Sequence, residues 1–373
     1  MLNRRQFLLL AVFSAIAPTL QSCSNPNSLK VQVLKDSIPP QLLGDFKKEF
    51  SLNRKLEIKP VPQLQTLYEF LEELTQENSK KRANLVTLGD FWLQQAIQKN
   101  LIQPLAVKSL NNWQQLPPLL QEIVRRNAQG NLDPGGEIWG APYRWGNTVI
   151  AYRADIFRDK GFAPPTDWGD LWREELRDRV SLLNQPREVI GLTLKKLGYS
   201  YNESNLESIP NLEQELATLH QQVKFYSSEA YLQPLIMDDT WIALGWSSDF
   251  LQLETRYPDI KIVIPDSGTS LWADLWVQPK QNETLPEEIS QWINFCWQLE
   301  AANQIGLFTN GSSPILLQTA NDQIPEDLQG DHLRIPKPDV LDKSEFLLPL
   351  SPATEQQYEA YWKNMRMATR RRD

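Results

Sequence analysis

The chain has 373 residues, with 38 Lys and Arg against 46 Asp and Glu, a net charge of −8. That balance opposes nucleic-acid binding, which relies on neutralising phosphates with basic side chains. Two cysteines and two histidines are too few for a zinc cluster, and His220 and His332 give little support to a catalytic triad, so neither a metal nor a cofactor is expected.

Residues 1–22 read as an export signal. Arg4 and Arg5 form a positive n-region, and Phe7 to Ala17 an apolar stretch too short to span a bilayer. Asn3 to Leu8 resembles a twin-arginine signal, and Leu20-Gln21-Ser22-Cys23 resembles a lipobox. Cleavage there leaves Cys23 as the first residue, lipidated and holding the chain to a membrane. Residues 23–28, with Ser24-Asn25-Pro26-Asn27-Ser28, then form a tether. With Cys23 carrying lipid, Cys296 has no partner, and the apolar spacing of Trp292 to Leu299 puts it on a buried helix face. Loss of Arg4 and Arg5 takes 38 basic residues to 36 against 46 acidic ones, a net charge of −10.

Beyond the tether, strand and helix signals alternate. Leu29–Leu34 is the first strand, followed by an amphipathic helix to Phe50. Leu56–Val61 is the second strand, Leu64–Leu74 a helix, Asn84–Leu88 the third strand and Phe91–Lys99 a helix. This order implies an α/β fold, a parallel sheet with helices on both faces, with ligands at the carboxyl ends of the strands. Asp36 and Asp90, just past the first and third strands, are placed there by topology alone.

The length suits two lobes rather than one. Residues 138–152, with Pro142 and Gly146, read as a crossing into a second lobe in which Val149–Tyr152, Val180–Leu183, Ile242–Gly245 and Ile262–Ile264 are strands. Pro186 fits the first turn of a helix, and Glu188 its electropositive N-terminal end. Residues 29–148 with 272–318 are assigned to the first lobe, and 149–271 with 319–373 to the second. Glu287–Ala302 is predicted as one helix. Tyr358, Tyr361, Trp362 and Met365 form a packing stripe on a C-terminal helix from about Glu355 to Met367.

Two clusters then stand out: Trp246 with Asp249, and Trp272 with Asp274, each expected just after a strand. Indole faces attract cations by about 0.5–2 kcal/mol, and a carboxylate adds a charge-assisted hydrogen bond. Twice over, that is the equipment for a small organic cation. The alternative is that both Trp are core residues and both Asp are turn or cap residues.

The segments IWGAPYRWGNTVIAYRADIF, TDWGDLW, VSLLNQPREVIGLTLKKLGYS, LGWSSDF and GTSLWADLWVQP occur in the order found in polyamine-binding proteins of ABC importers, so the chain resembles a bacterial spermidine/putrescine-type substrate-binding protein from Leu29 to Lys363. The resemblance implies a two-lobed periplasmic-binding-protein fold of type II, each lobe a mostly parallel sheet flanked by helices, joined by two hinge crossings. It also implies a periplasmic monomer that passes a polyamine to a membrane permease and is not an enzyme. By the same resemblance, Trp246 lies along the ligand's methylenes, with Asp249 the acid after it. Trp272 fills an aromatic position, Asp274 holds an ammonium group, Glu188 is a cleft carboxylate, and Asp36 matches an acid of putrescine-type members.

Several positions depart from the family pattern: Leu34 and Ser37 replace first-loop aromatics, Gly89 replaces a Ser, Gln185 an acid and Gly311 a Tyr. These substitutions open a second reading, the same fold holding another amine or a cation-bearing osmolyte. A third, an exported hydrolase with paired carboxylates, has no nucleophile motif behind it.

Overall fold

A computed structural model describes residues 28–281 and 284–368. The signal segment, Cys23 and the tether up to Asn27 lie outside the described residues. Strand β1 (Leu29–Leu34) pairs in parallel with β2 (Leu56–Val61) from Leu29↔Leu56 onward, and with β3 (Leu85–Gly89) on its other side. Helix α1 (Pro40–Glu49) begins on a proline, which sacrifices no intrahelical N–H there, and buries Leu42 and Phe46. Helix α2 (Leu64–Leu74) buries Leu67, Tyr68, Leu71 and Leu74 at helical spacing. These bounds agree with the periodicity. The next helix starts later than expected: Asp90–Trp92 form a 3-10 turn before α3 (Leu93–Gln98), which leaves Phe91 exposed.

The sheet then departs from a simple parallel array. Its order runs β2, β1, β3, a return strand (Ser270–Pro279), a crossing strand (Ala141–Arg153), then Ile242–Trp246, Val180–Leu182 and Val223–Tyr226. The return strand is antiparallel to both of its main neighbours, while Val180–Leu182 pairs in parallel on either side. The crossing strand is 13 residues long, where the sequence suggested four, because the ladder with the return strand runs through Pro142 and Gly146 and overrides their local signals. The cost is a bulge: Asp274 faces Arg144 and Leu275 faces Pro142, so Tyr143 has no opposite residue. Tyr143 instead stacks on Trp276, with ring centroids 4.0 Å apart, and its hydroxyl meets Ser37 and Thr87 at 2.8 and 3.0 Å.

Two clusters of buried apolar residues flank this strand. One contains Val31, Leu85, Tyr143, Trp145, Leu275 and Trp292; the other contains Val149, Ile150, Val180, Ile190, Leu244 and Phe250. The chain passes between them once at Gly146–Thr148 and again between Ile264 and Leu271. Farther on, Ile324, Leu328 and Phe346 join the first cluster and Tyr358 and Met365 the second, so the segment after residue 318 serves both. The helix expected over Glu287–Ala302 is two, Glu287–Cys296 and Leu299–Phe308. The break turns Trp297 inward, where its indole N–H donates to the Pro142 carbonyl at 2.6 Å. Cys296 is fully buried, as its spacing implied. The C-terminal helix, Pro352–Met367, packs Tyr358, Tyr361, Trp362 and Met365 on the second cluster.

Candidate functional site

Four residues come together because two strands pair in one register. Asp274 lies opposite Arg144, and Trp272 lies opposite Gly146. Side chains two apart on a strand share a face, so Arg144, Gly146, Trp272 and Asp274 form one patch on the ladder. Trp272 and Asp274 therefore lie within a strand, not after one as the sequence suggested. Gly146 is what lets Trp272 lie flat across the sheet: a Cβ there would stand 2.3 Å from the indole Cζ2 and 2.7 Å from Ser247 Oγ.

Arg144 dominates this patch. Its Nε donates to Asp274 Oδ2 at 2.8 Å, and both side chains are almost completely buried, at 7 % and 2 % exposed. The guanidinium also lies over the Trp272 ring, 5.3 Å from its centroid. Gly311 borders its stem: a Cβ there would come within 2.8 Å of Arg144 Cγ. Burial pushes the Asp274 carboxyl upward, and the Arg144 charge and hydrogen bond pull it back.

Asp90, at the end of β3, accepts from the Ala273 N–H at 2.8 Å. Burial raises its carboxyl to about 7, opposed by the Ala273 N–H and the nearby Arg126 charge and assisted by Asp274. Arg126 is itself buried, with Nε donating to the Ile123 carbonyl at 2.7 Å.

The second lobe's contribution faces this patch. Asp249 sits in the first turn of the helix Ser247–Arg256 and accepts from the hydroxyls of Tyr231 and Ser248. Burial raises its carboxyl, Tyr231 opposes that most strongly, and Arg144 is near enough to oppose it by charge. Trp246, half-buried at the end of its strand, meets the Tyr231 ring edge-on at 6.2 Å. Glu188 lies in the first turn of Pro186–Lys196 and accepts from Ser270 Oγ at 2.6 Å and Thr148 Oγ1 at 3.1 Å. Burial raises its carboxyl; those hydroxyls, the Arg187 charge and the Trp246 side chain counter the rise.

Six of the seven residues singled out in the sequence thus form one tract, Asp90–Asp274–Trp272 from one side and Asp249–Trp246–Glu188 from the other. Asp36 stands apart, exposed in a left-handed conformation with φ of 61°. It lines a cavity of about 360 Å³ with Ile38, Pro40, Phe308 and Asn310 on one side and Gln252 and Arg256 on the other. Gln252 and Arg256 follow Asp249 by three and seven residues, on the same helix face. The cavity is therefore the mouth of the cleft, and the Trp/Asp tract lies deeper.

Sequence reasoning missed Arg144 and Tyr231. A signal for Arg144 existed: a lone cation inside APYRWGNTVIAY requires a buried acid. Tyr231 had none, since only the fold brings its hydroxyl to Asp249 across 18 residues.

The comparisons with known proteins agree with this architecture. The chain is 24% identical over 359 residues to the spermidine/putrescine-binding periplasmic protein of Salmonella typhimurium, covering 96% of this chain and 97% of that protein. It is 25% identical over 370 residues to a putrescine-binding periplasmic protein of Pseudomonas aeruginosa, covering 94% and 95%. The crystal structure of a spermidine/putrescine ABC transporter substrate-binding protein from Streptococcus pneumoniae superposes with a TM-score of 0.78 at 21% identity, over 91% of this chain and 99% of that one, which establishes the periplasmic-binding-protein fold. Residues 81–343 match the family model for bacterial extracellular solute-binding proteins, and the chain belongs to that family.

Proposed function

We propose that the protein is the substrate-binding component of an ABC importer, capturing a polyamine-type amine between its lobes and handing it to a membrane permease. The observation that carries this reading is the convergence of Asp249, Trp246, Trp272, Asp274 and Asp90 from two separate cores on one buried tract. An ammonium buried without a counter-charge is costly, and this tract supplies carboxylates beside indole faces that cover methylenes. The relatives named for spermidine and putrescine binding support the same class of ligand.

In this reading the lobes divide at the Gly146–Thr148 and 265–270 crossings and close on the ligand by bending there. Closure removes water and strengthens the ion pairs. The protein acts as a binding protein and not as an enzyme. Asp36 and Arg256 guard the mouth, and Asp249 meets the ammonium inside. Export through the twin-arginine-like signal, and anchoring through Cys23, keep the domain beside its permease. Replacing Cys23 with Ala is expected to move the protein from the membrane to the soluble fraction on cell fractionation.

The binding test is calorimetry with spermidine, putrescine, agmatine and glycine betaine, preceded by native mass spectrometry to weigh any ligand carried from the cell. Asp249→Asn is expected to weaken the amine that binds best by at least about tenfold, which corresponds to about 1.4 kcal/mol. Unchanged affinity in that variant removes Asp249 from the site. If glycine betaine is bound and the three polyamines are not, the osmolyte reading replaces this one.

A further inference from the structure

We propose that Arg144 is a specificity residue: its guanidinium fills one ammonium position of the cleft, so that the ligand presents a single ammonium to Asp249 and an oxygen acceptor to Arg144. This rests on the amine-binding reading above and narrows it.

Three contacts carry the argument. A ligand ammonium at Asp274 and Trp272 would need a carboxylate within hydrogen-bond reach and an indole face within about 6 Å. Arg144 already holds both, at 2.8 Å from Asp274 Oδ2 and 5.3 Å from the Trp272 centroid. The space its stem occupies borders Gly311, where any side chain would collide with Arg144 Cγ and Cδ. The arginine and the glycine fit as a pair.

The charges in the tract lead to the same conclusion. Asp274 is neutralised by Arg144, and Asp90 faces the Arg126 charge. Glu188 is held by two hydroxyls with Arg187 nearby. Asp249 is the acid in the tract that is hydrogen-bonded only by neutral hydroxyls and remains partly exposed. Four acids, Asp90, Glu188, Asp249 and Asp274, thus lie near three arginines, Arg126, Arg144 and Arg187, and the one carboxylate in excess calls for one ammonium, whereas a diamine brings two. A second ammonium placed against Arg144 would be a like charge at close range and would be repelled.

Arg144 has more to offer than repulsion. Its Nε is engaged with Asp274, while its two Nη amino groups have no hydrogen-bond partner among the described residues, in a side chain only 7 % exposed. Guanidinium N–H groups left without a protein partner are free to take ligand acceptors, and carboxylate or amide oxygens suit their planar geometry. The ligand class that satisfies both ends is a short aliphatic chain with an ammonium at one terminus and a carboxylate or an amide carbonyl at the other.

The test is calorimetry on the mature domain with three probes of similar length: putrescine, N-acetylputrescine and 4-aminobutanoate. The wild type is expected to bind N-acetylputrescine or 4-aminobutanoate at least tenfold more tightly than putrescine, the better of the two identifying the acceptor. Arg144→Met, which frees Asp274 and Trp272, is expected to reverse that order. Putrescine bound by the wild type at least as tightly as both other probes overturns the proposal and leaves the amine reading standing. No binding of any probe to either protein overturns the proposal and leaves the amine reading to the titrations with spermidine and agmatine. Because the wild-type ranking decides the matter alone, a poorly folding Arg144→Met protein does not rescue the proposal.

Discussion

Replacing Asp274 with Ala probes the ion pair at the centre of the cleft. Arg144 would keep its place on the crossing strand, with its side chain 7 % exposed and its Nε acceptor gone. Breaking a buried pair from one side costs about 3–5 kcal/mol, because the remaining charge is neither solvated nor paired. The Trp272 face and the Asp249 charge stay near and recover part of that, so a loss of about 3 kcal/mol is expected. Removing both charges together, as Arg144→Met with Asp274→Leu, should restore most of the stability, since apolar replacements of a buried pair are often neutral or better. Arg144→Met and Asp274→Leu, made singly and then together, give a coupling energy of about 2–3 kcal/mol. Urea unfolding of ligand-free protein, followed by Trp fluorescence and circular dichroism with coincident transitions required, measures it. A loss below about 1 kcal/mol for Asp274→Ala, the range of exposed pairs, would refute the argument, because Arg144 would then be reaching water.

Two further outcomes follow from the site. Asp90 holds its proton in the folded state up to about pH 7 but in the unfolded chain only to about 3.9, so between those values the folded state binds more protons and stability falls as pH rises. At about 1.4 kcal/mol per pKa unit the window is worth roughly 4 kcal/mol, and Asp90→Asn, whose amide oxygen still accepts from Ala273, should flatten it; urea midpoints at pH 5 and pH 8 that shift equally in both proteins would contradict this. Gly146→Ala forces Trp272 off the sheet, with an expected loss of about 1–3 kcal/mol from overpacking and a weakened amine affinity; an alanine protein with wild-type stability and binding would show that the indole can move freely.

Much of the local structure was legible in the residues. β1, β2 and α2 have the bounds that periodicity gave, because apolar spacing and turn residues act over a few positions. Where the prediction failed, a distant partner was responsible. The crossing strand extends through Pro142 and Gly146 because the return strand pairs with both, and the helix after Glu287 breaks so that Trp297 can reach Pro142, 155 residues away. Trp272 and Asp274 were expected just after a strand and lie within one, because ladder register leaves no trace in composition.

The same division holds at the site. The sequence alone determined that acids and indoles recur near the ends of strands, and that Arg144 is a cation in an apolar run, since residue type and spacing are written in the chain. Which acid belongs to which cation was decided by the tertiary structure. The register that sets Asp274 opposite Arg144, the glycines at 146 and 311 that make room, and the turn that delivers Tyr231 to Asp249 are long-range contacts. Charge compensation in a cleft depends on distances of a few ångströms between segments far apart in the chain, and folding alone sets those distances.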